Sequence, residues 1–187
     1  MRTDHVEALV GWGFRTSAWT AVDLPSVPSV SNPTPGDFGY YWIIPDSVRI
    51  ETGNLIYLYS GGHLYEIDSR TKRTRRVEAD EERFDPAEFG EVEQRGPWLG
   101  ILLADKVGRL KRRVAQERVG GLVCQMIEWS SRFFVERRWV YKLRSGMVSV
   151  RYEAVYKDKA SGFVVLSGLV DPQVEQVPRS LFNLPTP

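Results

Sequence analysis

The chain has 187 residues, and its 25 Lys and Arg residues against 24 Asp and Glu residues give a formal net charge of +1. This length is typical of one domain, and 42% hydrophobic with 26% charged residues excludes disorder, collagen and coiled coil as descriptions of the whole chain. The near-neutral charge argues against a dedicated nucleic-acid binder, so no nucleic-acid partner is expected.

Cysteine and histidine are scarce. Cys124 is the one cysteine, which excludes an intramolecular disulfide and a cysteine-rich zinc site. His5 and His63 are far apart in sequence, so we expect no metal and no cofactor. The sequence has no run of about 18 apolar residues, so no membrane-spanning helix is predicted. The first residues lack the pattern of a secretion signal, which predicts a cytoplasmic protein, or a periplasmic or cell-envelope protein whose leader has been removed.

At the start of the chain, Val6 to Phe14 predicts a short helix within an N-terminal extension over residues 1–17. Trp19 to Leu24 resembles a strand. Residues 25–37 contain four of the eleven prolines, which excludes a helix or a central strand and predicts a loop.

The next part of the chain is typical of a meander of short antiparallel strands, because apolar or alternating runs are separated by turn residues. The predicted strands cover residues 38–44, 48–51, 55–59, 63–67 and 73–77. Five cations in seven residues, from Arg70 to Arg76, have two interpretations. They protect an edge strand from aggregation, or they contact phosphate head groups or nucleic acid.

After an acidic stretch, Pro97 stands where a helix begins, and apolar residues follow at spacings of three or four. This pattern predicts a helix over residues 97–114. This predicted helix has two interpretations: it covers the core, or it is a lid whose movement opens a groove. Further strands are predicted over residues 122–129, 132–143, 149–156 and 163–170. About eight to ten strands with one or two helices predict an α+β fold.

Several segments carry a family resemblance in their order along the chain. They are Trp42 to Glu51, Tyr57 to Asp68, Leu99 to Asp105, Val119 to Cys124, Trp139 and Val177 to Pro185. Together they resemble the superfamily of LolA-like and LppX-like envelope proteins, which sort or carry lipoproteins and lipids. The resemblance covers roughly residues 18–185.

This resemblance implies one domain over residues 1–187, a strongly curved antiparallel sheet that forms an open, unclosed β-barrel. One or two helices would cover its concave face. It implies a non-enzymatic carrier that holds a lipid acyl chain or a lipidated protein in an apolar groove. The alternative is a protein-interaction or sensor module of the cell envelope on the same fold, without a ligand and with a membrane surface or membrane-anchored protein as partner.

Alternation of side chains along the strands predicts apolar rows that face inward. These rows are either core or a groove that accepts a ligand. The resemblance also implies that Arg49 bonds carbonyl groups of a lid loop near the mouth of the cavity. The candidate ligand-binding residues are Arg49, Tyr57, Tyr59, Trp98, Leu99, Leu103, Val107, Val135, Trp139, Tyr141, Val150 and Tyr152. No catalytic residues are expected, and Cys124 is interpreted as a buried, inert thiol.

Overall fold

The computed structural model describes residues 4–20, 39–77, 111–130, 134–157 and 162–185. Nearly all of them belong to one antiparallel sheet of eleven strands. The strands are β1 (His5–Thr20), β2 (Tyr40–Ile44), β3 (Ser47–Thr52), β4 (Leu55–Ser60), β5 (His63–Asp68), β6 (Thr74–Val77), β7 (Lys111–Val119), β8 (Leu122–Ser130), β9 (Phe134–Leu143), β10 (Gly146–Lys157) and β11 (Gly162–Pro178). A 3-10 helix follows over Arg179–Phe182.

The strand order is β6-β5-β4-β3-β2-β1-β11-β10-β9-β8-β7. The first and last strands, β1 and β11, therefore pair at the centre of the sheet. We call β2–β6 the N-terminal arm and β7–β10 the C-terminal arm. The outermost strands of the arms, β6 and β7, are not paired with each other in the described part of the chain, so the sheet is not closed.

The sheet bends strongly about its centre. In a flat sheet, β2 and β10 would lie about 14 Å apart, because β1 and β11 separate them. Here Cα atoms of these two strands approach within 8 Å. At the turn between β9 and β10, a Cβ placed on Gly146 would lie 2.9 Å from Cγ of Pro45. The two arms therefore face each other across the bend.

The bend encloses the main hydrophobic core, which we call the inner cluster. Both arms and both central strands contribute to it. Its buried members are Leu9, Tyr41, Ile43, Val48, Ile50, Val119, Cys124, Met126, Trp139, Leu143, Val148, Val150 and Leu169. A second cluster, the outer cluster, contains Ala8, Val10, Ile44, Val177 and Phe182, and it attaches the 3-10 helix to the opposite face of the sheet.

The helix expected over Val6 to Phe14 is wrong, because these residues belong to β1. Both faces of this central strand are covered, so Ala8, Leu9 and Val10 are all fully buried. A strand buried on both faces has a continuous apolar run, which periodicity alone does not distinguish from a helix. Gly13 confirms the close packing, since a Cβ there would lie 2.1 Å from Cε2 of Tyr41.

The α+β fold class is also wrong. The described residues are almost entirely β-strand, and no α-helix in them covers a face of the sheet. Residues 97–110 of the expected lid helix lie outside the described residues, as does the expected loop over 25–37. Residues 111–114, the end of that expected helix, begin the edge strand β7 instead. Their cations are exposed on this edge rather than placed at the last turn of a helix.

Most of the short predicted strands coincide with observed ones within a few residues: β2 to β6 and β8 to β10. β11 is much longer than expected, because its polar second half continues to Pro178 in pairing with β1. The basic run ends in β6, an edge strand with exposed Arg75 and Arg76. That is the arrangement expected of an edge protected by charge, whereas contact with head groups stays a prediction.

Candidate functional site

The inner cluster is bordered by hydrophobic side chains that remain partly accessible to water. We call these residues the seam. They come from β4 of the N-terminal arm, from β7, β8 and β9 of the C-terminal arm, and from β11: Tyr57, Tyr59, Ala115, Leu122, Tyr141 and Val174. Three of the six are tyrosines, whose rings offer apolar area while their hydroxyl groups reach water. The seam is thus the partly exposed apolar surface next to the inner cluster.

Trp139 occupies a fixed position on this inner face. Its indole Nε1 donates a hydrogen bond of 2.8 Å to Oε2 of Glu117, which reaches it from β7 across β8. The guanidinium carbon of Arg151 lies 5.1 Å from the centre of the Trp139 ring, in the geometry of a cation–π contact. The ring itself is only 7% exposed. Trp139 therefore joins the apolar inner cluster to charged groups.

Arg151 belongs to a row of charged side chains across β8, β9 and β10, which we call the polar strip. Its members are Glu128, Arg137, Glu153 and Arg151. Nε of Arg137 lies 2.6 Å from Oε2 of Glu128, and its Nη1 lies 2.9 Å from Oε2 of Glu153. Nη2 of Arg151 is 3.9 Å from Oε1 of Glu153. The two carboxylates and two guanidinium groups of the strip thus balance each other, while Glu117 is a further carboxylate beside Trp139.

Side-chain alternation places the polar strip on the inner face. Arg137 is two residues before Trp139 on β9, and Glu128 is two residues after Met126 on β8. Residues two apart on a strand share a face, and Trp139 and Met126 belong to the inner cluster. Burial favours the neutral form of Arg137, but its hydrogen bonds to the two carboxylates outweigh burial and raise its pKa above the ordinary value. Arg137 therefore keeps its positive charge next to the apolar inner cluster.

Of the two arginines in the polar strip, Arg151 has the weaker contacts with carboxylates. Its Nε is buried and has no hydrogen-bond partner among the described residues. Its contact with Glu153 at 3.9 Å is too long for a hydrogen bond. In contrast, Arg137 donates two short hydrogen bonds. Arg151 thus retains donor capacity next to the inner cluster.

A separate buried ion pair joins Glu136 and Arg138. Their closest atoms are 3.4 Å apart, and each side chain is only 4% exposed. Burial raises the pKa of Glu136, although Arg138 opposes this effect. The guanidinium of Arg138 lies over the ring of Tyr152 at 5.1 Å. Tyr152 therefore contacts this ion pair and is not a member of the inner cluster or the seam.

The structure brings five of the predicted ligand-binding residues together. Trp139 and Val150 belong to the inner cluster, and Tyr57, Tyr59 and Tyr141 belong to the seam. They come from β4, β9 and β10, in opposite arms of the bent sheet.

The other candidates among the described residues are not members of the inner cluster or the seam. Val135 is partly buried where β9 pairs with Ser130 and Val155. Trp98, Leu99, Leu103 and Val107 lie outside the described residues.

Arg49 lies away from the inner cluster. Its Nη1 donates a 3.1 Å hydrogen bond to the carbonyl of Leu181, and its Nη2 lies 2.6 Å from Oε1 of Glu51. Its guanidinium carbon is 6.0 Å from the centre of the Trp42 ring. Arg49 therefore connects β3 to the 3-10 helix beside the outer cluster.

Sequence reasoning missed most of the polar strip. In the sequence, Arg137 is a charged residue that interrupts an apolar alternating row of the strand predicted over residues 132–143, and Glu128, Glu153 and Arg151 carry no signal of their own. A charged side chain that points inward requires an oppositely charged partner. Arg137 in an inward row therefore predicts an acidic residue on a neighbouring strand. The identity of those partners depends on the pairing register of β8, β9 and β10.

Other site types are not formed by the described residues. No group of three or more His, Cys, Asp or Glu residues among them is arranged to hold a metal ion. No helix within the described ranges has the length and apolar character needed to cross a bilayer. Burial raises the pKa of Cys124 to about 11, which keeps its thiol protonated at neutral pH.

Comparison with known proteins adds no relative: no protein-family model matches the chain, and no curated protein is significantly similar to it. The functional interpretation consequently depends on the inner cluster, the seam and the polar strip. Together these three features form an amphiphilic lining, apolar over most of its area and charged at one border.

Proposed function

We propose that this chain is a non-enzymatic binding protein that holds the acyl chain of a lipid or of a lipidated protein along the seam. One observation carries this proposal: the apolar inner face ends at the polar strip, where Trp139 contacts both. An amphiphile has the same two parts in the same order. The acyl chain would contact the seam tyrosines, while its polar end would lie toward Arg151.

The driving force would be burial of the acyl chain. Each methylene group removed from water contributes about 0.8 kcal/mol, so a long chain binds without any catalytic group. The seam supplies aromatic and aliphatic surface from both arms, and the charges of the polar strip balance each other. We propose no covalent step, since the one thiol, Cys124, is buried and protonated.

A protein-interaction module without a ligand is the second candidate. It is favoured by the complete burial of many inner-cluster side chains, including Leu9, Ile43 and Val148, each 0% exposed. An interior filled by its own side chains leaves the outer surface for partners. The two candidates therefore differ in whether the seam accepts an acyl chain.

Native mass spectrometry of the protein purified without detergent distinguishes them. A carrier retains an extra mass in the range of a fatty acid or a lipid, whereas the ligand-free module shows the mass of the chain alone. Tyr59→Arg places a charge in the seam and should abolish the extra mass. Tyr65→Arg is the matched control, because Tyr65 pairs with Leu58 and so shares the opposite face of the sheet from Tyr59. Loss of the extra mass in both variants, or in neither, would contradict the seam as the binding site.

A further inference from the structure

On the basis of the acyl-binding function proposed above, we propose that Arg151 binds the head group of the ligand. Its guanidinium donates a hydrogen bond to the carbonyl-type oxygen at the polar end of the acyl chain. This oxygen belongs to an ester, an amide or a carboxylate, which share the same acceptor chemistry. Arg151 is then the residue that selects acylated ligands over plain hydrocarbons.

The position of Arg151 follows from an irregularity in β10. The register with β9 shifts between Ser149 and Arg151, so that Val150 is inserted and Arg151 lies opposite Trp139. Such bulges redirect side chains at functional sites. Val150 packs in the inner cluster, and Arg151 lies over the Trp139 ring. The guanidinium is thereby held at the boundary between apolar surface and polar strip.

The hydrogen bonding of Arg151 leaves room for an acceptor. Its Nε is buried with no partner in the described residues, and a buried donor without an acceptor is unfavourable. The contact of Arg151 with Oε1 of Glu153 is long at 3.9 Å, whereas Oε2 of the same carboxylate accepts a 2.9 Å hydrogen bond from Arg137. A ligand oxygen that reaches Arg151 supplies the missing acceptor without breaking an existing short bond.

The charge of the surroundings defines the class of head group. Glu128 and Glu153 already balance Arg137 and Arg151, and Glu117 is a third carboxylate beside Trp139, so these surroundings do not require a negative charge on the ligand. A neutral ester or amide carbonyl therefore fits as well as a carboxylate does. What the ligand must present is an acceptor oxygen directly attached to the acyl chain.

Another buried arginine does not serve this role. Nη1 of Arg138 also has no partner among the described residues. However, Arg138 contacts Glu136 and Tyr152, which are not members of the inner cluster or the seam. An acyl chain in the seam would reach Arg151 beside Trp139 rather than Arg138.

The test compares two ligands that differ only at the acceptor. Monopalmitoylglycerol has an ester carbonyl, and 1-O-hexadecylglycerol has a methylene group in its place. Each ligand displaces the fluorescent probe N-phenyl-1-naphthylamine, which has no carbonyl and reports on the apolar seam alone. We expect wild-type protein to bind the ester at least about tenfold more tightly than the ether, because hydrogen bonds to charged groups are strong. Palmitate, tested in parallel, distinguishes a free carboxylate from an ester.

Substitution of the arginine sharpens the test. Arg151→Met should reduce the preference for the ester to about onefold, because the methionine side chain has no hydrogen-bond donor. Arg151→Lys keeps the charge but lacks the Nε donor, and we expect it to lose most of the preference as well. Arg118→Met is the control, because Arg118 is exposed on the edge strand β7. Urea unfolding of each variant verifies that it is folded.

The outcomes separate the two proposals. Equal binding of ester and ether by wild-type protein, or an ester preference that persists in both Arg151 variants, would overturn the head-group role and leave acyl binding intact. Failure of wild-type protein to bind the probe and all three lipids would overturn acyl binding itself, and the head-group role with it. The wild-type comparison decides the question even where a variant does not fold.

Discussion

The two arms of the sheet bend toward the same interior but line it differently. The N-terminal arm contributes apolar and aromatic side chains, such as Tyr41, Ile43 and Ile50. The C-terminal arm contributes Trp139 and Val150 to the same cluster and, beside them, the four charges of the polar strip. A sheet that needed only a stable core would not require these charges. Under the proposed function, this asymmetry places the polar end of the ligand at the C-terminal arm.

The largest expected effect tests the polar strip. Arg137→Met leaves the carboxylates of Glu128 and Glu153 close together without their shared partner, and Glu153 is only 5% exposed. Loss of one partner from a buried ionic network costs about 3 kcal/mol or more. Urea unfolding should show this decrease. Arg144→Met, at a side chain that is 87% exposed, is the control and should change stability by less than about 0.5 kcal/mol. Equal stability of both variants would contradict a structural role of the strip.

The next effect tests whether the interior of the C-terminal arm excludes water. Burial raises the pKa of the Cys124 thiol from its ordinary value of 9.0 to about 11, so the thiol keeps its proton at a pH where an unfolded chain would release it. At pH 8, iodoacetamide should therefore react with native protein about a hundredfold more slowly than with urea-unfolded protein, since the reactive thiolate is tenfold rarer for each unit of pKa. Equal rates would indicate a hydrated interior.

The same shift predicts the sign of a pH effect. Stabilisation from the protonated Cys124 is fully present below pH 9, and it is lost as pH rises from 9 toward 11, because the unfolded chain gives up its proton first. The urea midpoint of wild-type protein should fall over this range, and that of Cys124→Ala should fall less.

A smaller effect tests packing at the bend, on the side of the N-terminal arm. Gly13→Ala places a Cβ 2.1 Å from Cε2 of Tyr41, which is buried. Such overpacking costs about 2 kcal/mol, as measured by urea unfolding. Gly121→Ala is the matched control, since no atom lies within 4 Å of the added carbon. A second substitution, Tyr41→Val, should relieve the clash, and a lack of relief would argue against this contact.

The smallest effect tests the outer face of the N-terminal arm. Arg49→Met removes the hydrogen bond to the carbonyl of Leu181 and should cost about 1 kcal/mol. Hydrogen exchange of the amide of Asn183, which donates to Ser180 in the 3-10 helix, should become faster. Arg76→Met on the exposed edge strand is the control. Because Arg49 pairs with Leu58 and so lies on the face of the sheet opposite Tyr57 and Tyr59, probe binding should remain unchanged in both variants.

Much of the N-terminal arm was predictable from local sequence. Its strands are short, and turns such as Gly61-Gly62 separate them, so alternation identified both their position and their inward side chains. Tyr57 and Tyr59 were placed in the site for this reason. β1 was not predictable in the same way, since a strand covered on both faces loses the alternation that identifies it.

The polar strip could not be predicted, because it depends on contacts between strands. Glu128 and Arg137 become partners through the register of β8 and β9, and Glu153 joins them through the register of β9 and β10. The bulge that brings Arg151 over Trp139 has no sequence signature of its own. Local patterns identify which residues are apolar, whereas pairing decides which charges meet.

NMR with carbon-13-labelled palmitate shows whether the acyl chain lies on the inner face of the sheet. We expect nuclear Overhauser contacts from the acyl methylene groups to the rings of Tyr57, Tyr59 and Tyr141. The outer face provides an internal control, where Trp12, 51% exposed, stacks edge-on against Tyr40 at 5.4 Å. Contacts to Trp12 and Tyr40 in place of the seam tyrosines, or no contacts at all, would contradict the account.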